Sequence, residues 1–173
     1  MLIAAKLEGE QIMTMVIFFI AALLIVAIIY LAIHRVLINR ATLIVRRQAE
    51  NLTNEAVNAV LAEIFHRPLD LQSQTVADVW GRGVMAFEYV LDQSMLEQAA
   101  GQLTVQSLNQ DLADYAAAHQ VARVKGAKET FRVTDWWTYE QRIHIDIAYL
   151  INEATREYVD DLKKVAKSQG ESL

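Results

Sequence analysis

Glu63 and His66 have the residue types and the spacing of a metal-binding pair. They form Glu-x-x-His, and residues three apart share one face of a helix. Di-iron bundles use this motif twice, together with two further glutamates. The nearest second pair here, Glu140 and His144, is one residue too long, and His66 stands close to Pro68 at a helix end. The sequence therefore predicts no metal site, and a metal-dependent helical-bundle enzyme is only a remote alternative.

His144 and Asp146 are a second pair of titratable residues, close to Glu140 and Arg142. We expect the segment around them to be helical, and residues two apart on a helix point in nearly opposite directions. The spacing therefore predicts that His144 and Asp146 do not act together.

The remaining candidate for ligand chemistry is Gly81-Arg82-Gly83. It is too short to cradle a phosphate, and Gly83 is better explained as a small residue where two helices pack closely. The chain has no nucleophile elbow and no zinc pattern. Its lack of cysteine excludes disulfides and thiolate chemistry. We therefore expect no catalytic residue, no cofactor and no enzymatic activity.

Two charged segments suggest how the protein could meet a partner. Between positions 83 and 122 there are five acidic residues and no Lys or Arg: Glu88, Asp92, Glu97, Asp111 and Asp114. The residues that follow are basic, with Glu129 as their only acidic neighbour: Arg123, Lys125, Lys128 and Arg132. Both segments are compatible either with solvated faces or with a docking surface, because complementary charge sets the orientation and rate of association.

Trp137 follows the basic segment and falls near the edge of an apolar stripe. At such an edge an aromatic side chain either packs internally or anchors a partner. Trp136, on the stripe itself, is predicted to lie in the core. The predicted partner-binding residues are Trp137, Arg123, Lys125, Lys128 and Arg132.

A block of apolar residues lies near the N-terminus. Positions 15–33 contain no charged residue, no Gly and no Pro. Nineteen helical residues span about 28 Å, close to the roughly 30 Å hydrocarbon core of a bilayer. The block is too long for a cleaved signal peptide and is followed by no small-residue cleavage site. It therefore predicts a transmembrane anchor.

The residues that flank this block predict its orientation. Lys6, Glu8 and Glu10 precede it, whereas Arg35, Arg40, Arg46 and Arg47 follow it. By the positive-inside rule the N-terminus lies outside and the C-terminal domain lies in the cytoplasm, at the inner membrane. Arg35 and Arg40 are predicted to contact lipid head groups.

Helical spacing continues beyond the anchor. Apolar residues three or four apart predict one helix over 12–65, which Pro68 terminates. Further helices are predicted over 75–99, over 104–118 and over 135–168. In the last of these, Trp136, Ile143 and Leu150 repeat at intervals of seven. The segment 142–149 also alternates like a strand, but the helical period covers more residues.

The predicted fold class is all-α, with one N-terminal transmembrane helix that continues into a small cytoplasmic helical bundle. The predicted parts are a short outer N-terminus (1–11), the transmembrane helix (12–34), a juxtamembrane rod (35–67), a helical domain (68–168) and a tail (169–173).

An anchored helical domain without catalytic residues is typical of a structural or assembly subunit. We expect a non-enzymatic, single-pass component of a larger membrane complex, such as secretion, conjugation or transport machinery. The alternative is an adaptor that transiently docks a soluble enzyme or regulator. The expected partners are other protein subunits and membrane lipid, and self-association is left open. The net charge of −5 disfavours nucleic acid.

Overall fold

The computed structural model describes residues 2–76, 83–99 and 101–169, without the side chains of 2–12, 14, 36–42 and 169. It divides into two compact units, Met1–Ile44 and Val45–Leu173. The elements in chain order are α1 (Leu2–Phe65), β1 (Gln74–Thr75), β2 (Ala86–Asp92), α2 (Gln93–Gln98), α3 (Val105–Ala118), β3 (Phe131–Tyr139), β4 (Arg142–Tyr149) and α4 (Glu153–Gln169).

The second unit contains a four-stranded antiparallel sheet in the order β1-β2-β4-β3. The all-α prediction is therefore wrong, and the fold is mixed α/β. The helix predicted over 75–99 is replaced by β1, β2 and the short α2, and positions 77–82, with Trp80, Gly81 and Arg82, lie outside the described residues. The helix predicted over 135–168 is replaced by β3, β4 and α4.

The seven-residue repeat in this region has a different cause. β3 and β4 form a hairpin in which Tyr139 pairs with Arg142 and Trp136 pairs with Ile145. Ile143 is two residues from Ile145 on β4, and residues two apart on a strand share a face. Trp136 therefore lies on the same face of the hairpin as Ile143, although the two are seven apart. Leu150 belongs instead to the cluster on the opposite face. The spacing therefore imitates a helical period without being one.

The turn of this hairpin carries no sequence signal. Its two residues, Glu140 and Gln141, have φ angles of 47° and 59°. Positive φ at both central positions is the requirement of a type I′ turn, for which Asn-Gly is the preferred sequence. Glu and Gln are better helix formers than turn formers. The sequence therefore favoured a helix where the chain reverses.

One face of the sheet carries the main core. Its strand residues pack against positions 49–65 of α1 and against α3. The fully buried strand side chains on this face include Phe87, Tyr89, Leu91, Phe131, Ile143, Ile145 and Ile147. Asn58 of α1 holds the segment before β1 with two hydrogen bonds, from its Nδ2 to the Leu71 carbonyl (2.9 Å) and from the Leu71 N–H to its Oδ1 (2.8 Å).

α4 packs on one end of the opposite face, where its Val159 forms a smaller cluster with Ala86 and Ala148 of the sheet. Asn152 begins the helix, because its Oδ1 accepts the Thr155 N–H at 2.8 Å. The buried Thr155 hydroxyl in turn accepts the Met85 N–H at 2.9 Å. The start of α4 is therefore tied directly to the residues that lead into β2.

Gly83 does not lie in a helix, so its predicted role in helix packing is wrong. Its φ is +94°, and a Cβ at this position would stand 3.8 Å from the Ala154 Cβ, an ordinary contact. The position needs glycine for its backbone conformation rather than for space.

Two local predictions are confirmed. α3 covers the predicted 104–118 segment, and Thr104 with Ser107 forms a capping box at its start. α1 ends at Phe65, ahead of Pro68, with His66 at a φ of 51°. His66 is therefore the residue that follows the end of the helix.

The hairpin turn gives a direct test of the strand assignment. Glu140→Asn combined with Gln141→Gly should stabilise the domain by about 1 kcal/mol, because it relieves left-handed backbone at two residues that carry a Cβ. In a thermal melt this would raise Tm by a few degrees. The same change in a helix would cost about 1 kcal/mol at the glycine. Ala113→Gly in α3 is the control that should show this loss, and a lower Tm for the turn variant would contradict the hairpin.

Candidate docking site on the outer face of the sheet

The face of the sheet that points away from α1 and α3 is called here the outer face. β2, β4 and β3 align three acidic residues across it, because Glu88 pairs with Asp146 and Asp146 pairs with Asp135. We call these three the carboxylate row. The next row along the strands contains Val90, His144 and Trp137.

A β-bulge places Asp135 in the row. The β3–β4 register shifts between Val133 and Asp135, so that Thr134 is the extra residue. Val133, which precedes the bulge, faces the core. Beyond the bulge Trp136 faces the core and is partly buried there, as predicted. Asp135 and Trp137 are consequently turned to the outer face. Asn109 of α3 secures this part of β3 by accepting the Val133 N–H at 2.8 Å.

His144 joins the two rows. Its Nδ1 lies 2.5 Å from Oε1 of Glu88, which is the diagonal neighbour on β2. Its ring stacks on Trp137 with centroids 4.9 Å apart and planes inclined by 14°. Trp137 is 36% exposed, so its indole forms part of the protein surface.

Asp146 is the most unusual residue of the row. It is only 5% exposed, and its Oδ1 has no hydrogen-bond partner. The pKa of this carboxyl is raised to about 7, mainly by burial and in addition by the neighbouring charges of Glu88 and Asp135, while His144 opposes the shift. Asp146 therefore changes its charge near neutral pH.

α4 covers only part of the outer face. Tyr158 packs in the cluster with Ala86 and Ala148, next to the row. Burial raises the pKa of its phenol, and a hydrogen bond with Thr134 works against this shift. The end of the face with Trp137 and His144 is not part of that cluster. It presents an aromatic plane beside carboxylates.

The described residues contain no group of three or more metal-ligating side chains. The hydrogen bond of His144 goes to a carboxylate, whereas a nucleophile–base pair needs a hydroxyl or thiol there.

The predicted partner-binding residues do not form one continuous surface. Trp137 lies five residues beyond Arg132 on β3, which corresponds to about 16 Å along a strand. Arg132 lines a pocket of about 480 Å³ with Asn109 and Glu129. Arg123 and Lys125 are exposed. Trp137 and the basic segment are therefore separate surfaces.

Lys128 belongs to a different pocket of about 480 Å³, beside α4. The lysines that line it with Lys128 are Lys163, Lys164 and Lys167. Two of them are already engaged, Lys163 with Glu129 at 2.5 Å and Lys164 with Asp161 at 2.6 Å. The pocket is basic, but its charge is partly neutralised.

The two residues predicted to contact lipid lie on α1 in the first unit. Arg35 is exposed, and the side chain of Arg40 lies outside the described ones. Lipid contact by both residues stays a prediction.

Sequence reasoning missed the carboxylate row because it placed His144 and Asp146 on a helix. On a strand, residues two apart share a face, so the same spacing predicts the opposite result. The alternation in 142–149 was the available signal for this pair. The sequence carries no signal for Glu88 and Asp135, which reach the row through pairing with β4.

The raised pKa of Asp146 predicts how stability changes with pH. The folded state holds this proton more tightly than the unfolded state, where the carboxyl has its usual pKa near 4. Its contribution to stability is complete below pH 4 and is lost as the pH rises through about 7. Between pH 5 and pH 8 the loss should be about 2–3 kcal/mol.

Asp146→Asn should remove this part of the pH dependence, because an amide does not titrate. Urea unfolding of both proteins at pH 5 and pH 8 measures the difference. Asp114→Asn, on exposed α3 surface, is the matched control and should keep the wild-type dependence. Parallel curves for wild type and Asp146→Asn would contradict the raised pKa.

Comparison of the chain with known proteins yields no match among family models, curated proteins or solved structures, and the function is therefore argued from the geometry.

Proposed function

We propose that this protein is a non-enzymatic, single-pass membrane subunit that holds an α/β docking domain at the cytoplasmic surface of the inner membrane as part of a larger protein complex. The observation that carries the proposal is the apolar stretch Met15–Arg35 of α1. It is long and apolar enough to cross a membrane, and none of its most apolar window is buried.

The exposure of this stretch supports a membrane span rather than the core helix of a soluble protein. Phe18 is 72% exposed, Phe19 is 70% exposed and Val26 is 65% exposed. Leaving a large apolar side chain in water costs about 1.5–3 kcal/mol relative to burying it. A hydrocarbon environment removes this cost along the whole stretch, and a helix satisfies its own backbone hydrogen bonds there.

The basic residues after the stretch support the cytoplasmic orientation. Arg35 closes it, and Arg40, Arg46 and Arg47 follow before the first acidic residue, Glu50. Lys and Arg close to a span favour the cytoplasmic side.

The second unit supports a role in protein docking. Its outer face offers Trp137 and the carboxylate row, and its α4 side offers the pocket with Lys128. Exposed aromatic residues concentrate binding free energy, whereas exposed charges mainly set the rate and salt dependence of association. An adaptor that binds its partner transiently is the alternative, since it would use the same surfaces.

The anchor can be tested by placing charge at its centre. Leu24→Arg combined with Ile25→Arg should shift the protein out of the alkaline-washed membrane fraction, because each central arginine costs about 2.5–3.5 kcal/mol on insertion. Leu24→Ile combined with Ile25→Leu keeps the stretch apolar and should remain in the membrane. Retention of the arginine variant in the washed membranes would contradict a transmembrane anchor.

A reporter fused after Leu173 tests the orientation in the same cells. A reporter that works only in the cytoplasm should be active, and one that works only outside should be silent. The reverse pattern would place the docking domain outside the membrane.

Co-purification tests membership of a complex. A permanent subunit should retain its partner at a constant ratio in mild detergent, whereas a transient adaptor should lose it on dilution. Trp137→Ala should weaken the association by about 2 kcal/mol or more without lowering Tm, because the side chain is partly exposed. Tyr139→Ala, which removes a 61% exposed aromatic from the same strand, is the matched control.

A Trp137→Ala protein that stays folded and keeps its partner would move the interface away from the outer face. The acidic surface with Asp111 and Asp114 on α3 would then be the next surface to test. A partner ratio that falls steadily with dilution would favour the adaptor.

A further inference from the structure

We propose that the uncovered part of the outer face binds a cationic side chain of a partner protein, a lysine or an arginine, against Trp137 and the carboxylate row. This rests on the proposed docking function and deepens it by naming the chemistry of the partner.

The charge of the row is the first argument. Glu88, Asp146 and Asp135 occupy adjacent positions on three strands, and like charges directly opposite each other in a sheet are destabilising. Glu88 is held by His144. Among the cations on this face, Arg142 on β4 lies two rows from Asp146, and Arg132 on β3 lies one row away and is paired with Glu129 at 3.4 Å. A cation placed on the row would therefore relieve repulsion that the strands themselves create.

The unpartnered oxygen of Asp146 also favours a cation at this face. A buried carboxylate normally has hydrogen bonds or an opposite charge, because its desolvation is otherwise costly. Oδ1 of Asp146 has neither a hydrogen bond nor contact with solvent, in a residue that is 5% exposed. Since the carboxyl is enclosed, a cation would act on it through the electric field across the row while contacting the more exposed Asp135.

Trp137 explains why the cation should be a protein side chain. A guanidinium or ammonium group is attracted to the face of an indole and can stack on it. Trp137 lies two residues from Asp135 on the same face of β3, and one side of its ring is covered by His144. The exposed part of the ring and the Asp135 carboxylate thus stand side by side. A metal ion is not favoured here, because the described residues do not group as metal ligands.

Binding to this site should depend on pH in a defined direction. The titratable groups around Asp146 are Glu88 on β2, Asp135 on β3, His144 on β4 and Tyr158 on α4, and the charged group in the adjacent row is Arg132 on β3. The raised pKa of the Tyr158 phenol keeps it neutral around pH 7. The cation favours the charged carboxylate of Asp146, so affinity should rise as the pH passes through about 7. With a pKa of about 7, the charged fraction of Asp146 rises about tenfold from pH 6 to pH 8, and this sets the upper limit of the gain in affinity.

The probe is a fluorescein-labelled, arginine-rich peptide, and the matched probe has every arginine replaced by glutamine. The full chain is kept in a neutral detergent at fixed ionic strength, and binding is measured by fluorescence anisotropy at pH 6 and pH 8. The arginine peptide should bind several-fold and at most about tenfold more tightly at pH 8, and the glutamine peptide should show no saturable binding. Trp137→Ala and Asp135→Asn should each weaken binding by at least about fivefold.

Variants separate the site from general electrostatic attraction. Asp146→Asn should reduce the pH response to about twofold or less, and His144→Gln should retain most of it. Asp111→Asn and Asp114→Asn remove the same amount of charge from α3 and should leave the affinity unchanged. If Asp146→Asn fails to fold, Asp135→Asn and Trp137→Ala carry the test.

Equal weakening by the α3 and the row variants would overturn the proposal, and so would binding that does not respond to Trp137→Ala. Self-association that excludes the peptide would identify a second copy as the occupant, with its lysine-lined pocket supplying the cations, and would also overturn it. Failure of peptide binding leaves the membrane anchor unaffected, so it is distinguishable from failure of the proposed function.

Discussion

β4 lies between β2 and β3, and its backbone hydrogen bonds to both neighbours define the fold of the second unit. Because successive strand residues point to opposite faces, Ile143, Ile145 and Ile147 enter the main core together. The same alternation turns His144 and Asp146 outward. A helix through these positions would have distributed them around its circumference, and neither the core nor the carboxylate row would exist.

The bulge at Thr134 decides which residues the partner strand contributes. Without the extra residue, the pairing would have directed Asp135 into the core and Trp136 to the outer face. A carboxylate in the main core would carry a large desolvation cost, and Trp137 would take the place of Trp136 there. The bulge avoids this cost and turns Asp135 and Trp137 together to the outer face. The sheet can therefore keep an apolar inner face while its outer face concentrates charge.

α4 determines how much of that outer face meets solvent. Its apolar residues cover the end with Ala86 and Ala148, where the strand side chains are small enough for close packing. Tyr158 extends the part of the outer face that α4 covers as far as the carboxylate row. Partial covering explains why Asp146 is buried and titrates near neutral pH, whereas Trp137, one row further along, remains at the surface. A titrating carboxylate next to an exposed aromatic ring would make partner binding sensitive to pH.

The sequence by itself determined the features that depend on local interactions. The apolar stretch is apparent because nineteen consecutive residues lack charge, α3 because Val105, Leu108 and Leu112 recur at helical spacing, and the end of α1 because Pro68 disfavours helix before it. Only the tertiary structure decided between helix and strand for 131–149, where both periods fit and the turn has no glycine or asparagine. The pairing that stabilises β4 comes from β2, more than 50 residues earlier in the chain. Hydrogen bonds between distant strands leave no local signal, and the meeting of Glu88, Asp135 and Asp146 depends on those bonds.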